Sequence, residues 1–65
     1  MEFKITPRER EVLELISKDY SYREIAEKLF MSKETVISHR KRLLSKFKVQ
    51  NSAELIRAAM ENKIL

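Results

Sequence analysis

The chain has no glycine and one proline, Pro7, in 65 residues. Hairpin turns, Gly-rich phosphate loops and flexible linkers draw on residues that accept positive φ or stay unstructured, so this composition argues against all three. No stretch alternates apolar and polar residues over a useful length, as a half-buried strand would. An all-α fold remains, and its helices must be started by side-chain caps.

Four such starts are present. Thr6-Pro7-Arg8-Glu9 is a capping box with proline at the first helical position, where an N–H would have no partner anyway. It predicts a helix over 7–18 with Val12, Leu13 and Ile16 on one stripe, Leu15 at its edge, and Glu11, Glu14 and Lys18 opposite. Ser21-Tyr22-Arg23-Glu24 repeats the box and predicts a helix over 22–30 with Ile25, Ala26 and Leu29 inward. Ser32 caps a third helix over 33–46, where Glu34 suits the positive end of the helix dipole. Asn51-Ser52-Ala53-Glu54 starts a fourth over 52–62, with Leu55, Ile56, Ala59 and Met60 apolar. Residues 1–5 form a lead-in whose Phe3 and Ile5 can fold back onto the core. No repeat or linker interrupts the chain, so one domain over 1–65 is expected.

A chain this short buries roughly 60% of its unfolded surface and is marginal without a staple. Zero cysteine rules out disulfides and thiolate metal sites, and the single histidine, His39, has no partners for a metal. No metal, cofactor or small-molecule ligand is called for, and self-association is the remaining staple. No apolar run approaches the roughly 20 residues of a membrane span, and the N-terminus lacks a signal-peptide core. A cytoplasmic protein is expected. Binding to a membrane surface through a basic amphipathic helix is disfavoured, because the basic stretch has no Trp and its apolar residues are needed for a core.

Charge singles out one segment. Residues 32–48 hold six Lys and Arg against one acid, an excess of five, while the whole chain carries only +4. The same segment has Val36, Leu43, Leu44 and Phe47 at helical spacing, so one face can anchor while another meets a polyanion. A short helix, a tight turn and a longer basic helix make a helix-turn-helix, whose second helix enters the major groove of duplex DNA while the first presents its N-terminus to phosphate. With Val36, Leu43 and Phe47 inward, Lys33 or Glu34, Ile37, Ser38, Lys41 and Ser45 point outward. The base-facing candidates are Ile37 for a thymine methyl, Ser38 for several base edges, and Lys41 for guanine O6 or N7. Thr35, His39, Arg42 and Lys46 follow one flank as a phosphate rail, and Arg23, Ser32 and Lys33 join them as phosphate candidates.

The sequence also resembles the DNA-binding domain of the LuxR/FixJ/NarL (GerE-like) family of bacterial transcription regulators. The matching residues are Thr6-Pro7-Arg8-Glu9-Arg10-Glu11-Val12-Leu13, Ser21 with Arg23-Glu24-Ile25-Ala26, Leu29, Ser32, Thr35-Val36, His39, Leu44, Lys46, Val49, Asn51, Ala53-Glu54-Leu55 and Ala59. The resemblance implies a four-helix fold, sequence-specific binding of double-stranded promoter DNA near the nucleoid, and a homodimer formed largely through the last helix, with Leu55, Ala58 and Ala59 as its contact candidates. It also implies that positions 37, 38 and 41 face bases. The family usually has glycine where this chain has Asp19, Lys48 and Lys63, and a basic residue where it has Ile37. A chain opening on Met1 with no room for a sensor resembles the small stand-alone members, a domain cut from a larger regulator being the alternative.

Blander roles compete at several positions. His39 is either a hydrogen-bonding flank residue or purely structural. Ser38 beside it forms no catalytic pair, because adjacent helical residues point apart, and no enzyme is expected. Tyr20 and Tyr22 read as packing residues at the helix junction. Glu9, Glu11, Glu14 and Asp19 read as a solvated acidic face, with contact to RNA polymerase as the alternative. A second function class is an interaction module that pairs with and silences a larger relative. Such a module has no need for the concentrated positive charge of residues 32–48.

Overall fold

Each helix begins at a capped N-terminus. The computed structural model describes residues 4–65 and contains α1 (Pro7–Ser17), α2 (Tyr22–Leu29), α3 (Lys33–Phe47) and α4 (Ser52–Glu61). Among the described residues there is no strand. Phe3 lies outside them; Ile5 does pack against the core. Thr6 Oγ1 accepts from the Glu9 N–H at 3.1 Å while Glu9 Oε1 accepts from the Thr6 N–H at 3.0 Å. Ser21 and Glu24 form the same reciprocal pair at 3.1 and 2.8 Å. Ser32 caps α3 from one side only, accepting from the Thr35 N–H. At α4, Asn51 caps Glu54, but Glu54 reaches past the cap to the Gln50 N–H at 3.0 Å.

The helix ends share one device. Asp19, Phe30, Lys48 and Lys63 all have positive φ, between 55° and 67°. The next residue in each case donates its N–H back five positions: Tyr20 to Leu15, Met31 to Ala26, Val49 to Leu44 and Ile64 to Ala59. These are Schellman closures. Tyr20, Met31, Val49 and Ile64 are all half-buried against the core, which supplies the apolar contact that accompanies the motif. A left-handed conformation costs a non-glycine residue roughly 1 kcal/mol, so each apolar contact offsets a local strain. Three of these positions are those where the resemblance called for glycine.

The core takes Val12, Leu13 and Ile16 from α1, Ile25, Ala26 and Leu29 from α2, Val36, Leu43 and Phe47 from α3, and Leu55 and Ala59 from α4. Leu15 and Leu44 lie half-buried at its edge. Helix α3 packs against all three others, and α4 rests on α1 and α3. Tyr20 and Tyr22 pack at the junctions, with Lys28 Nζ 4.9 Å from the Tyr20 ring centre. One expectation is corrected. Glu9 does not belong to a solvated acidic face, because it is buried and carries an internal ion pair.

Candidate nucleic-acid interface

The buried line of α3 fixes which of its side chains face outward. With Val36, Leu43 and Phe47 in the core, Lys33, Glu34, Ser38, Lys41, Arg42 and Ser45 are exposed. Ile37 is half-buried between these two faces. The three base-facing candidates therefore lie together on or beside the outward surface. Arg23 is exposed in the first turn of α2. Ser32 and Thr35 hold their hydroxyls 2.8 Å apart at the start of α3. Thr35, Ser38, His39 and Arg42 join Glu34 around an open depression of about 300 Å³. His39 is half-buried there, and its Nδ1 is buried without a hydrogen-bond partner.

One member of the phosphate rail expected from helical spacing has an internal acid partner. Lys46 Nζ lies 2.7 Å from Glu9 Oε1 and donates to the Lys4 carbonyl at 2.8 Å. Its charge is paired inside the protein, although its side chain stays 36% exposed. Burial raises the Glu9 pKa, but the Lys46 hydrogen bond, the Thr6 N–H and the charges of Lys46 and His39 outweigh it, and the carboxyl is held below its ordinary value of 4.5. Lys33, Lys41 and Arg42 differ from Lys46. None has a carboxylate partner among the described residues.

The dimer candidates also need correction. Leu55 and Ala59 are fully buried in the protomer's own core and have no surface left to offer. Ala58 and Ile56 are half-buried, and Met60 is 61% exposed. Ile56 and Met60, four residues apart, therefore share one flank of α4, and Ala58 lies on the opposite flank. Spacing alone did not divide this helix because apolar residues occupy both of its sides.

Arg40 escaped the sequence reading. It is half-buried one turn beyond Val36, donates from Nε to Ser52 Oγ at 2.9 Å, and places Cζ 5.9 Å from the Tyr22 ring centre. Its partners come from α4 and α2, and no local pattern in the sequence joins them. Among the described residues no three or more His, Cys, Asp or Glu side chains gather to hold a metal ion. None of the helices described is long and apolar enough to cross a membrane.

The sequence pattern of the bacterial regulatory proteins of the luxR family, GerE type, matches residues 4–59. The chain belongs to the luxR family. Its relatives include the oxygen regulatory protein NreC of Staphylococcus aureus, 44% identical over 64 residues that make up 97% of this chain and 30% of NreC. The fold matches the response regulator ChrA of a heme-sensing two-component system with a TM-score of 0.92 at 32% identity, over 100% of this chain and 32% of ChrA. It matches the transcription factor GerE with a TM-score of 0.90 at 31% identity, over 94% of this chain and 91% of GerE. The chain thus spans about 30% of the length of the curated relatives it matches and nearly all of GerE. It is an all-α helix-turn-helix domain of the DNA-binding, transcription-regulating type, which is not an enzyme type.

Proposed function

We propose that this luxR-family domain binds double-stranded DNA with sequence preference and regulates transcription in the bacterial cytoplasm. Helix α3 lies in the major groove. Ile37 meets a thymine methyl, Ser38 a base edge, and Lys41 donates to guanine O6 or N7. Arg23, Ser32, Lys33, Thr35, His39 and Arg42 hold the backbone and set the register. Two protomers pair through the flank of α4 that carries Ile56 and Met60, and each reads one half-site.

The observation that carries this proposal is the state of the cations on α3. Lys33, Lys41 and Arg42 are exposed on an anchored helix and have no acid partner among the described residues, whereas Lys46 and Arg57 on other faces are paired within the chain. Unpaired positive charge on a rigid face is what binding a polyanion requires. Selection from random duplexes, followed by footprinting and a mass measurement on the selected site, tests the proposal. The expected result is a two-half-site sequence with two protomers bound. Recovery of unselected sequence would refute base reading, and one protomer per site would refute the dimer.

A further inference from the structure

We infer that Arg40 is a second, separate phosphate clamp for the duplex, on the opposite flank of α3 from His39 and Arg42. The inference rests on the DNA-binding function proposed above and adds a contact to it. Successive residues of a helix are about 100° apart, so Arg40 projects about 100° around the axis from His39, on the side away from Thr35 and Arg42. A helix lying in the major groove has one phosphate backbone along each flank. The rail of Thr35, His39 and Arg42 reaches only one of them.

The setting of Arg40 is that of a prepared anion site. Its Nε is held by Ser52 Oγ at 2.9 Å, and Tyr22 lies beside the guanidinium, 5.9 Å from ring centre to Cζ. Two contacts from two different helices fix the plane of the group and leave its terminal N–H groups unpartnered among the described residues. Among the described residues no carboxylate pairs with it. The acids at those helix starts are engaged by backbone N–H groups: Glu24 accepts from the Ser21 N–H and Glu54 from the Gln50 N–H. A half-buried, immobilised and uncompensated guanidinium gains an anion at little entropic cost, and its remaining Nη1/Nη2 fork matches two phosphate oxygens.

The test compares wild type, Arg40→Gln and Ser52→Ala for binding to one selected duplex across a salt series, with thermal unfolding measured in parallel. Arg40→Gln is expected to weaken binding about tenfold or more and to lower the salt slope by about one, with base preference unchanged. Ser52→Ala keeps the charge but frees the guanidinium, so it is expected to weaken binding with the slope unchanged. Ethylation of backbone phosphates should interfere on both strands for wild type and lose one position for Arg40→Gln. An Arg40→Gln slope equal to that of wild type would overturn the clamp and leave the DNA-binding proposal standing, whatever happens to the melting temperature. Wild-type binding that is absent or flat with salt would overturn both.

Discussion

The ammonium of Lys46 sits 2.7 Å from the carboxylate of Glu9, whose side chain is 3% exposed. The pair joins the first turn of α1 to the last turn of α3, and through the Lys4 carbonyl it also holds the residues that lead into α1. A residue that spacing assigns to the DNA surface is in this way part of the scaffold. Breaking the pair leaves a charge with its main partner removed. Lys46→Met is expected to destabilise the fold by about 1–3 kcal/mol, below the range for fully buried pairs because the Lys46 end is partly solvated. Its salt slope on duplex DNA should match that of wild type. A slope lowered by about one would return Lys46 to the phosphate rail.

The same pair sets an acid limit on stability. The Glu9 carboxyl is held below its ordinary value of 4.5, so its contribution is complete above that pH and declines as pH falls through the lower folded value. Denaturant melts between pH 7 and about 3 should show Glu9→Gln less stable than wild type at neutral pH, with the two converging as acid is added. Parallel curves for the two proteins would contradict this linkage.

Backbone strain offers a gain. Lys48 holds φ 55° at the end of α3 and Phe30 holds φ 55° at the end of α2, the latter residue 95% exposed. Lys48→Gly and Phe30→Asn suit the left-handed conformation without removing a buried contact. Each is expected to raise stability by about 0.5–1 kcal/mol, seen as a rise of a few degrees in melting temperature. Unchanged or lower melting temperatures would show that the ring or the ammonium makes an offsetting contribution.

Helix α4 has two faces with opposite expected phenotypes. Leu55→Glu places a charge in the core and should unfold the chain. Met60→Glu lies on the exposed face and should leave the fold intact while reducing the protomers on a full site from two to one. Analytical ultracentrifugation of the complexes distinguishes the two.

The two adjacent cations on α3 should separate specificity from affinity. Lys41→Ala is expected to relax base choice at one position, by about 1–3 kcal/mol of discrimination. Arg42→Ala should weaken binding about equally on all sequences. Selection profiles for the two variants test this directly, and equal relaxation would contradict the assignment.

The four helix starts were legible because each has a polar cap, followed three residues on by an acid at three of them, as with Thr6 and Glu9 or Ser21 and Glu24. The stripes Val12, Leu13, Ile16 and Ile25, Ala26, Leu29 were legible for the same local reason, since helical spacing aligns them. Helix ends were legible to within a residue: α2 stops at Leu29 because Phe30 turns left-handed, and α3 runs on to Phe47 before Lys48 does so. What escaped was non-local. The Glu9 carboxylate was correctly read as a cap, but it also accepts from Lys46, 37 positions away. The role of Arg40 depends on Tyr22 and Ser52, which only the packed helices bring to it. Leu55 and Ala59 were indistinguishable from Ala58 until the position of α4 on α1 and α3 determined which side was inward.

The most direct test of the account is the affinity of the wild-type protein for a selected duplex, measured by fluorescence anisotropy from about 50 to 200 mM salt. With Arg23, Lys33, Arg42 and Arg40 each neutralising a phosphate, log K should fall linearly with log salt at a slope of about −4 per protomer. An affinity that does not change over that range, or no binding at all, would contradict it.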